Sequence, residues 1–315
     1  MVDPRVWPTV VAIVGPTAVG KSDLAIEVAQ RVSGEVVNAD AFQVYRGMDI
    51  GTAKLAPAQR RGIPHHLLDI LDVTEELSVA QYQRTGRGVL ADLARRGVPA
   101  VVVGGSGLYV RALLDDLRFP GSDPEIRARW EARLSEVGPA GLHSVLSARD
   151  PEAATHILPT NGRRIVRALE VGEITGEPFT AQLPADGPPL VAHLSIGLDL
   201  PREVLDARIE ARVARMLDTG LIDEVRRLLT LGLRDGRTAS RALGYPQVID
   251  LLDGALDRSQ AERDIVLGTR RFARRQQRWF HRDPRTVWLD ATVPASSTAS
   301  SVAALMTGPA RRLGP

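Results

Sequence analysis

The stretch Gly15-Pro16-Thr17-Ala18-Val19-Gly20-Lys21-Ser22 constrains this chain more than any other, because it has the spacing G-x-x-x-x-G-K-S. It follows an apolar run at 9–14 and precedes a helical pattern that begins at Asp23. In such a strand, loop and helix, backbone N–H groups surround phosphate oxygens, the lysine adds a point charge, and the serine hydroxyl can reach a Mg²⁺ ion. The stretch therefore predicts a site for a di- or triphosphate. The alternative is an ordinary glycine-rich turn.

Lysine is rare in this chain, and its rarity favours the phosphate site. Of the 40 basic residues only Lys21 and Lys54 are lysines. A sequence that otherwise uses arginine keeps lysine where a compact ammonium fits and a wide guanidinium fork does not. Lys21 lies in a loop where that restriction is expected, whereas the same argument is weak for Lys54.

Composition limits the classes of protein that this chain can represent. With 315 residues and 44% hydrophobic residues, it can form one large domain or two, each with a sizeable core. It contains no cysteine, which excludes disulfides, thiolate metal sites and a cysteine nucleophile. No signal-like pattern and no apolar run of about 18 residues is present. We therefore expect a cytoplasmic protein without a membrane segment.

Alternating strand and helix patterns predict an α/β fold. Further buried strands are expected at 34–40, 98–103 and 193–199, with helices between them, as in a P-loop NTPase-like parallel sheet. From residue 123 to about 183 the pattern is helical without a convincing strand, which indicates an inserted helical domain. We predict four segments: the first part of the core at 1–119, a helical insertion at 120–190, a return to the core followed by C-terminal basic helices at 191–290, and a disordered tail at 291–315.

Two polar residues at predicted strand ends are candidates for chemistry. Asp40 ends the second strand, and ligands of parallel sheets lie beyond the carboxyl ends of the strands, so it should face the same crevice as the phosphate loop. It could be a Mg²⁺ ligand, a general base, or merely a helix N-cap. Ser106 follows the third strand in Gly104-Gly105-Ser106-Gly107, where a close backbone approach and a hydroxyl suit a ligand.

Two arginine-rich helices are candidates for binding an anionic polymer. Arg163, Arg164 and Arg167 share one side of a helix that Asn161 would cap. Residues 268–282 hold six arginines and no acid, and Arg271, Arg274 and Arg278 form a line beside Phe272 and Trp279. Arginine beside aromatic surface is typical of nucleic-acid binding. The alternative for both helices is a solvated charged face.

Taken together, these sequence motifs resemble those of the tRNA dimethylallyltransferases, also called tRNA isopentenyltransferases. Besides the phosphate loop, the resemblance rests on words at 40–54, 64–69, 103–109, 164–170 and 241–245, and it covers about residues 9 to 290. It implies that a dimethylallyl group passes from dimethylallyl diphosphate to the exocyclic N6 amine of the adenine 3′-adjacent to the anticodon in tRNA, with release of diphosphate and with Mg²⁺ as cofactor.

The resemblance also implies roles for individual residues. Asp40 would be the general base, Ser106 would orient the amine, and Arg212 would bind the pyrophosphate. Many members have threonine in place of Ser106. The residues that would bind the diphosphate are Gly15, Pro16, Thr17, Ala18, Val19, Gly20, Lys21 and Ser22, the last also holding Mg²⁺. The residues that would contact the tRNA anticodon stem-loop are Asp40, Ala41, Phe42, Gln43, Ser106, Arg127, Arg163, Arg164, Arg167, Arg241, Gly244, Tyr245, Arg271, Arg274, Arg275 and Arg278.

Several rival functions share parts of this pattern. A P-loop nucleotide or small-molecule kinase would use the same loop and Mg²⁺, but it has no task for the basic face beside Phe272 and Trp279. A prenyltransferase acting on free AMP is disfavoured for the same reason. A GTP-binding switch would need an N-K-x-D motif to recognise guanine, and this chain has none. A tRNA-binding protein without chemistry would not need Asp40 or an intact loop. We expect the protein to be a monomer.

Overall fold

The computed structural model describes residues 9–179 and 189–307, which belong to two compact units. The first unit is formed by Met1–Asp115 and Pro189–Pro315, and the second by Asp116–Pro188. The helical insertion was predicted at 120–190, close to the bounds of the second unit.

A parallel six-stranded sheet forms the centre of the first unit. Its strands are β1 (Val10–Val14), β2 (Glu35–Asn38), β3 (His65–His66), β4 (Ala100–Val103), β5 (His193–Asp199) and β6 (Thr286–Asp290). Their order is β3-β2-β4-β1-β5-β6, and every adjacent pair is parallel. All five residues of β1 are buried, as expected for a central strand that is covered on both faces. The predicted α/β fold with a parallel sheet is confirmed.

Helices connect these strands and build the second unit. They are α1 (Lys21–Val32), α2 (Val79–Arg96), α3 (Gly107–Leu114), α4 (Pro124–Arg149), α5 (Pro151–His156), α6 (Gly162–Thr175), α7 (Arg202–Asp218), α8 (Leu221–Thr230), α9 (Tyr245–Leu252), α10 (Arg258–Phe280) and α11 (Ala295–Thr307). The N-cap of α6 was expected from sequence, and α2 is capped in the same way. Ser78 accepts a hydrogen bond from the Gln81 N–H, and Asn161 accepts one from the Arg164 N–H.

The described residues of the second unit, 116–179, contain α4, α5 and α6. Helix α4 bends at Gly138, which has a φ of 71° and is followed by Pro139. Leu142 and Leu146 of α4 are buried against apolar residues of α6. This all-helical packing is what the 3.6-residue periodicity predicted.

The C-terminal region of the first unit differs from the expected disordered tail at 291–315. Strand β6 extends the sheet, and α11 packs on α1 with Ala299, Val302 and Met306 buried. These residues are spaced by three and four and form one narrow apolar stripe on an otherwise Ser- and Ala-rich helix. The prediction of disorder is wrong for 295–307, and residues 308–315 lie outside the described residues.

None of the helices within 9–179 and 189–307 combines the length and apolarity that crossing a membrane would require.

We predict that Val302→Asp lowers the free energy of unfolding by about 3 kcal/mol or more, because it places a charge at a fully buried position. Leu305→Asp on the same helix is the matched control, since Leu305 is 51% exposed, and its effect should stay within about 0.5 kcal/mol. Urea unfolding of both variants measures the difference. Equal stability of the two variants would show that α11 does not contribute to the folded core.

Candidate active site

The phosphate loop links β1 to α1 through backbone conformations that favour glycine. Gly15 has a φ of +138°, and a Cβ atom there would lie 2.7 Å from the Leu198 carbonyl oxygen. Gly20 has a φ of +106° and is the N-cap of α1. Ala18, between them, also has a positive φ of 65°. The loop is therefore tightly curved at the amino end of a helix, the geometry expected of an anion site.

Lys21 is the first residue of α1, and its side chain folds back over the loop. Its Nζ donates a hydrogen bond of 2.7 Å to the Pro16 carbonyl oxygen. Burial lowers the pKa of Lys21 from 10.5 to about 7, the nearby Asp40 carboxylate raises it, and the Arg212 guanidinium lowers it further. An anion bound in the loop would stabilise the charged form of this lysine.

Thr17 is held by two residues from other parts of the first unit. Arg212 of α7 donates a hydrogen bond of 3.2 Å from Nη1 to the Thr17 hydroxyl, and burial lowers the pKa of Arg212. The Thr17 N–H donates to the Gln276 side-chain oxygen at 2.8 Å. One loop amide is thus already paired with protein, which differs from the expectation that the loop amides surround phosphate. Sequence reasoning did not identify Gln276.

Asp40 lies just beyond β2 in a turn fixed by its neighbours. The Asn38 Oδ1 accepts from the Asp40 N–H at 3.0 Å, and the Asn38 Nδ2 donates to the Asp40 carbonyl oxygen at 3.1 Å. The Asp40 Oδ1 accepts from the Phe42 N–H at 2.9 Å. No helix begins in this part of the described chain, so the N-cap alternative is wrong and Asp40 instead closes an Asx turn.

Ser106 contacts the residues on either side of Asp40, Ala39 and Ala41, where β2 and β4 end together. A Cβ atom on Gly104 would lie 2.2 Å from the Ala39 carbonyl oxygen, so only glycine permits this approach. The Ser106 Oγ accepts a hydrogen bond of 3.2 Å from the Ala41 N–H. A serine hydroxyl that accepts in this way keeps its own proton for donation to a ligand.

One cavity of about 910 Å³ is lined by most of the predicted catalytic and diphosphate-binding residues, although Ser106 is not one of its lining residues. Asp40, Lys21, Ser22 and Arg212 all line it, so the expectation that Asp40 faces the phosphate loop is confirmed. Gln43 lines the cavity too, and its Nε2 donates to the Thr52 carbonyl oxygen at 3.0 Å. A cation-rich anion site and a carboxylate therefore share one solvent-accessible space.

A buried carboxylate holds the segment that follows Asp40. Glu224 of α8 accepts hydrogen bonds from the N–H groups of Asp49, Ile50 and Gly51 at 3.0, 2.7 and 3.1 Å. The Tyr245 hydroxyl donates to the same carboxylate at 2.7 Å. Three consecutive amides on one carboxylate fix this segment against α8.

Tyr245 and Gly244 were expected to contact tRNA, and their burial corrects that prediction. Tyr245 has no exposed surface, and its ring fills the space beside Gly51, where a Cβ atom would lie 2.6 Å from it. Gly244 is also buried and has a φ of 103° as the N-cap of α9. Tyr245 supports the segment at 49–51, and Gly244 begins the helix that carries Tyr245.

Lys54 proves to be structural. Its Nζ is buried and donates to the Tyr45 carbonyl oxygen at 2.8 Å, to Asp49 at 2.7 Å and to Asp69 at 2.6 Å. Three acceptors around one small cation suit an ammonium better than a planar guanidinium. The argument from lysine rarity therefore also applies to Lys54, for a different reason from that at Lys21.

Helix α10 carries a row of arginines without acidic partners. In the described parts of the chain, no ion pair with a carboxylate is found for the four that were expected to contact tRNA, Arg271, Arg274, Arg275 and Arg278. The Arg275 guanidinium lies over the Phe272 ring at 5.5 Å. Arg270, by contrast, pairs with Glu210 at 2.5 Å. Arg271, Arg275 and Arg278 are exposed and Arg274 is half-buried, so their charges beside an aromatic ring would suit a polyanion.

The arginines of the second unit fall into two groups. Arg127 of α4 lies 2.9 Å from the fully buried Glu170 carboxylate of α6 and joins the two helices. Arg167 lies at the same distance from Glu170 on its own helix and donates to the carbonyl oxygens of Pro120 and Gly121. Arg163 and Arg164 are exposed. In the first unit, Arg241 is exposed as well. Contact of these arginines with tRNA stays a prediction.

A family model described as IPP transferase matches residues 43–283. The chain belongs to the IPP transferase family. A tRNA dimethylallyltransferase of Kineococcus radiotolerans is 59% identical over 287 residues, covering 89% of this chain and 90% of that protein. One of Rhodococcus jostii is 53% identical over 309 residues, 98% of both chains. The kinase alternative finds no support in these similarities.

Solved structures of the IPP transferase family have the same fold. The tRNA isopentenylpyrophosphate transferase of Bacillus halodurans is 39% identical and superposes with a TM-score of 0.70 over 95% of this chain and 96% of its own. A eukaryotic dimethylallyltransferase, solved acting on tRNA, is 28% identical with a TM-score of 0.81 over 94% of this chain and 78% of its own.

The lowered pKa of Lys21 predicts a pH-dependent effect of Lys21→Met on stability. Between pH 7 and pH 10.5 the unfolded chain carries a proton on Lys21 that the folded, ligand-free protein lacks, so stability from this group rises with pH. Removing the lysine should therefore stabilise the protein more at pH 6 than at pH 9, by about 2 kcal/mol. Urea unfolding in phosphate-free buffer at both pH values measures this.

Lys54→Met is the matched control for the Lys21 variant. Because Lys54 has two carboxylate partners and a carbonyl, its removal should destabilise the protein by about 1–3 kcal/mol at both pH values. A Lys21→Met variant whose stability relative to the wild type is independent of pH would contradict the lowered pKa.

Proposed function

We propose that this protein transfers a dimethylallyl group from dimethylallyl diphosphate to the exocyclic N6 amine of the adenine 3′-adjacent to the anticodon in tRNA. The observation that carries the proposal is the single cavity in which the phosphate loop faces the Asp40 carboxylate. Family membership supports the same reaction. All of these groups belong to one chain, so we propose a monomer as the active unit.

In this reaction the bond between the allylic carbon and the diphosphate oxygen breaks, and a bond from N6 of adenine to that carbon forms. The breaking bond leaves its electron pair on the diphosphate. Lys21, the free loop amides and Arg212 would stabilise that growing negative charge at fixed positions. The burial that lowers the pKa of Lys21 favours its pairing with such an anion, because the ligand restores a stable charge.

The amine is a poor nucleophile until its proton is accepted, and in the proposed reaction the Asp40 carboxylate would accept it. One of its oxygens is engaged by the Phe42 N–H, which fixes the carboxylate and leaves the other oxygen for the amine. Ser106 would orient the amine by donating a hydrogen bond from its hydroxyl group to the adenine. The adenine would have to leave the anticodon-loop stack to reach this cavity.

The residues around the loop also fit a Mg²⁺ ion. Ser22 lines the cavity, and no cluster of three or more His, Cys, Asp or Glu side chains suited to a metal is present among the residues that the structure describes. This donor set fits Mg²⁺, which keeps several waters and takes its remaining ligands from substrate phosphates. Ser22 would hold the ion, which would neutralise charge on the departing diphosphate.

We predict that Asp40→Asn lowers kcat for prenyl transfer by about 100-fold or more while the tRNA Kd stays within about twofold. Asparagine keeps an oxygen that accepts from the Phe42 N–H, so the turn is preserved and only the base is lost. The assay combines dimethylallyl diphosphate, Mg²⁺ and total tRNA, followed by nucleoside analysis for a prenylated adenine. Full turnover by the variant would remove Asp40 as the base, and ATP-dependent phosphorylation of small acceptors would favour a kinase.

We also predict that replacing Arg271, Arg274 and Arg278 together by Gln weakens tRNA binding and reduces the slope of log K against log salt by about 2, given roughly 0.7 per single-strand phosphate contact. Arg270→Gln is the matched control on the same helix, because Arg270 is already paired with Glu210. Filter binding at several salt concentrations measures both. An unchanged slope in the triple variant would mean that these arginines are merely solvated.

A further inference from the structure

Gln276 is an amide on the buried side of the basic helix α10. The other buried positions of that helix are Ala261, Ile265, Thr269, Ala273 and Phe280. Gln276 is 5% exposed, and both ends of its amide are paired within the protein. Burial of an amide at an otherwise small or apolar face is costly unless its partners require it.

The two partners of Gln276 are the loops that hold the substrates in the proposed reaction. Its Oε1 accepts from the Thr17 N–H at 2.8 Å, and its Nε2 donates to the Gly105 carbonyl oxygen at 2.9 Å. Thr17 lies in the phosphate loop, and Gly105 precedes Ser106. A neutral amide supplies both an acceptor and a donor here without adding negative charge beside a phosphate site.

Helix α10 contacts the Ser106 loop on both sides. A Cβ atom on Gly105 would lie 2.1 Å from the Gln276 Nε2, and one on Gly107 would lie 1.9 Å from the Trp279 Nε1. Gln276 and Trp279 are three residues apart and therefore adjacent on the helix surface. A side chain at either glycine beside Ser106 would therefore displace Gln276 or Trp279 of α10.

The opposite side of the same helical turns carries the unpaired arginines. Arg275 and Arg278 are exposed within two residues of Gln276. A helix is stiff along its axis because each turn is hydrogen-bonded to the next. A shift of the arginine face on contact with a polyanion therefore also shifts the amide that holds the phosphate loop.

We propose that Gln276 is a positioning residue that couples RNA binding on α10 to diphosphate binding in the phosphate loop. This inference rests on the proposed function, since it assumes that RNA and a diphosphate are the two substrates. RNA on the arginine face fixes α10, Gln276 then fixes Thr17 and Gly105 together, and the loop binds the diphosphate more tightly. By linkage, the diphosphate tightens RNA binding by the same factor.

The test measures the Kd of inorganic pyrophosphate with Mg²⁺, in the absence and presence of a saturating RNA anticodon stem-loop. In the wild type we expect the stem-loop to tighten pyrophosphate binding by about fivefold or more. In Gln276→Met, which keeps the side-chain volume without the amide, the factor should fall below about twofold while the Kd of the stem-loop alone is retained. Gln277→Met is the matched control, because Gln277 donates to Asp199 at 2.8 Å and touches neither loop.

Gly105→Ala tests the same contact from the other side, and it serves if Gln276→Met does not fold. Its Cβ atom would displace the Gln276 Nε2, so it should also lower the coupling factor. A wild-type factor near one, or a wild-type factor retained in both variants, would overturn the inference. If the wild type prenylates tRNA in that case, the proposed function stands and only the coupling fails, whereas a wild type without prenyl transfer would overturn the proposed function itself.

Discussion

The site depends on how closely the backbone approaches itself at the carboxyl edge of the parallel sheet. Strands β2 and β4 end side by side, so that a Cβ atom on Gly104 would lie 2.2 Å from the Ala39 carbonyl oxygen. The phosphate loop is equally close to the end of β5, where Gly15 lies against Leu198. These approaches bring Asp40 and the loop to one cavity, because all strands of a parallel sheet deliver their ends to the same edge. Side chains at these glycines would separate the base from the anion site.

The two lysines of the site differ in how their charges are compensated. Lys54 is surrounded by acceptors within the protein and can only support the loop that follows Asp40. Lys21 has one carbonyl acceptor, and its burial lowers its pKa to about 7, so its charged form is poorly compensated in the ligand-free protein. A bound polyphosphate would supply the missing negative charge and stabilise protonated Lys21, and this stabilisation would contribute to the affinity for the ligand.

Much of the fold was accessible from sequence because it follows from local rules. Buried strands, the glycine loop and the helix caps at Ser78 and Asn161 each depend on a few adjacent residues. The errors arose where distant residues decide the outcome. The small apolar stripe of α11 packs on α1, and the buried Tyr245 hydroxyl donates to Glu224, which lies 21 residues earlier in the chain. Composition and periodicity carry no information on such partners.

The role of Gln276 was also missed because it depends on residues that are distant in the sequence. Periodicity predicted a charged face beside aromatic residues on α10, and it assigned no role to Gln276. In the structure that glutamine occupies the side of the helix that faces the sheet, where its amide joins Thr17 to Gly105. One helix thus presents cations outward and an amide inward within a single turn. Because the two faces cannot move independently, any RNA that binds the outer face acts on the position of the phosphate loop.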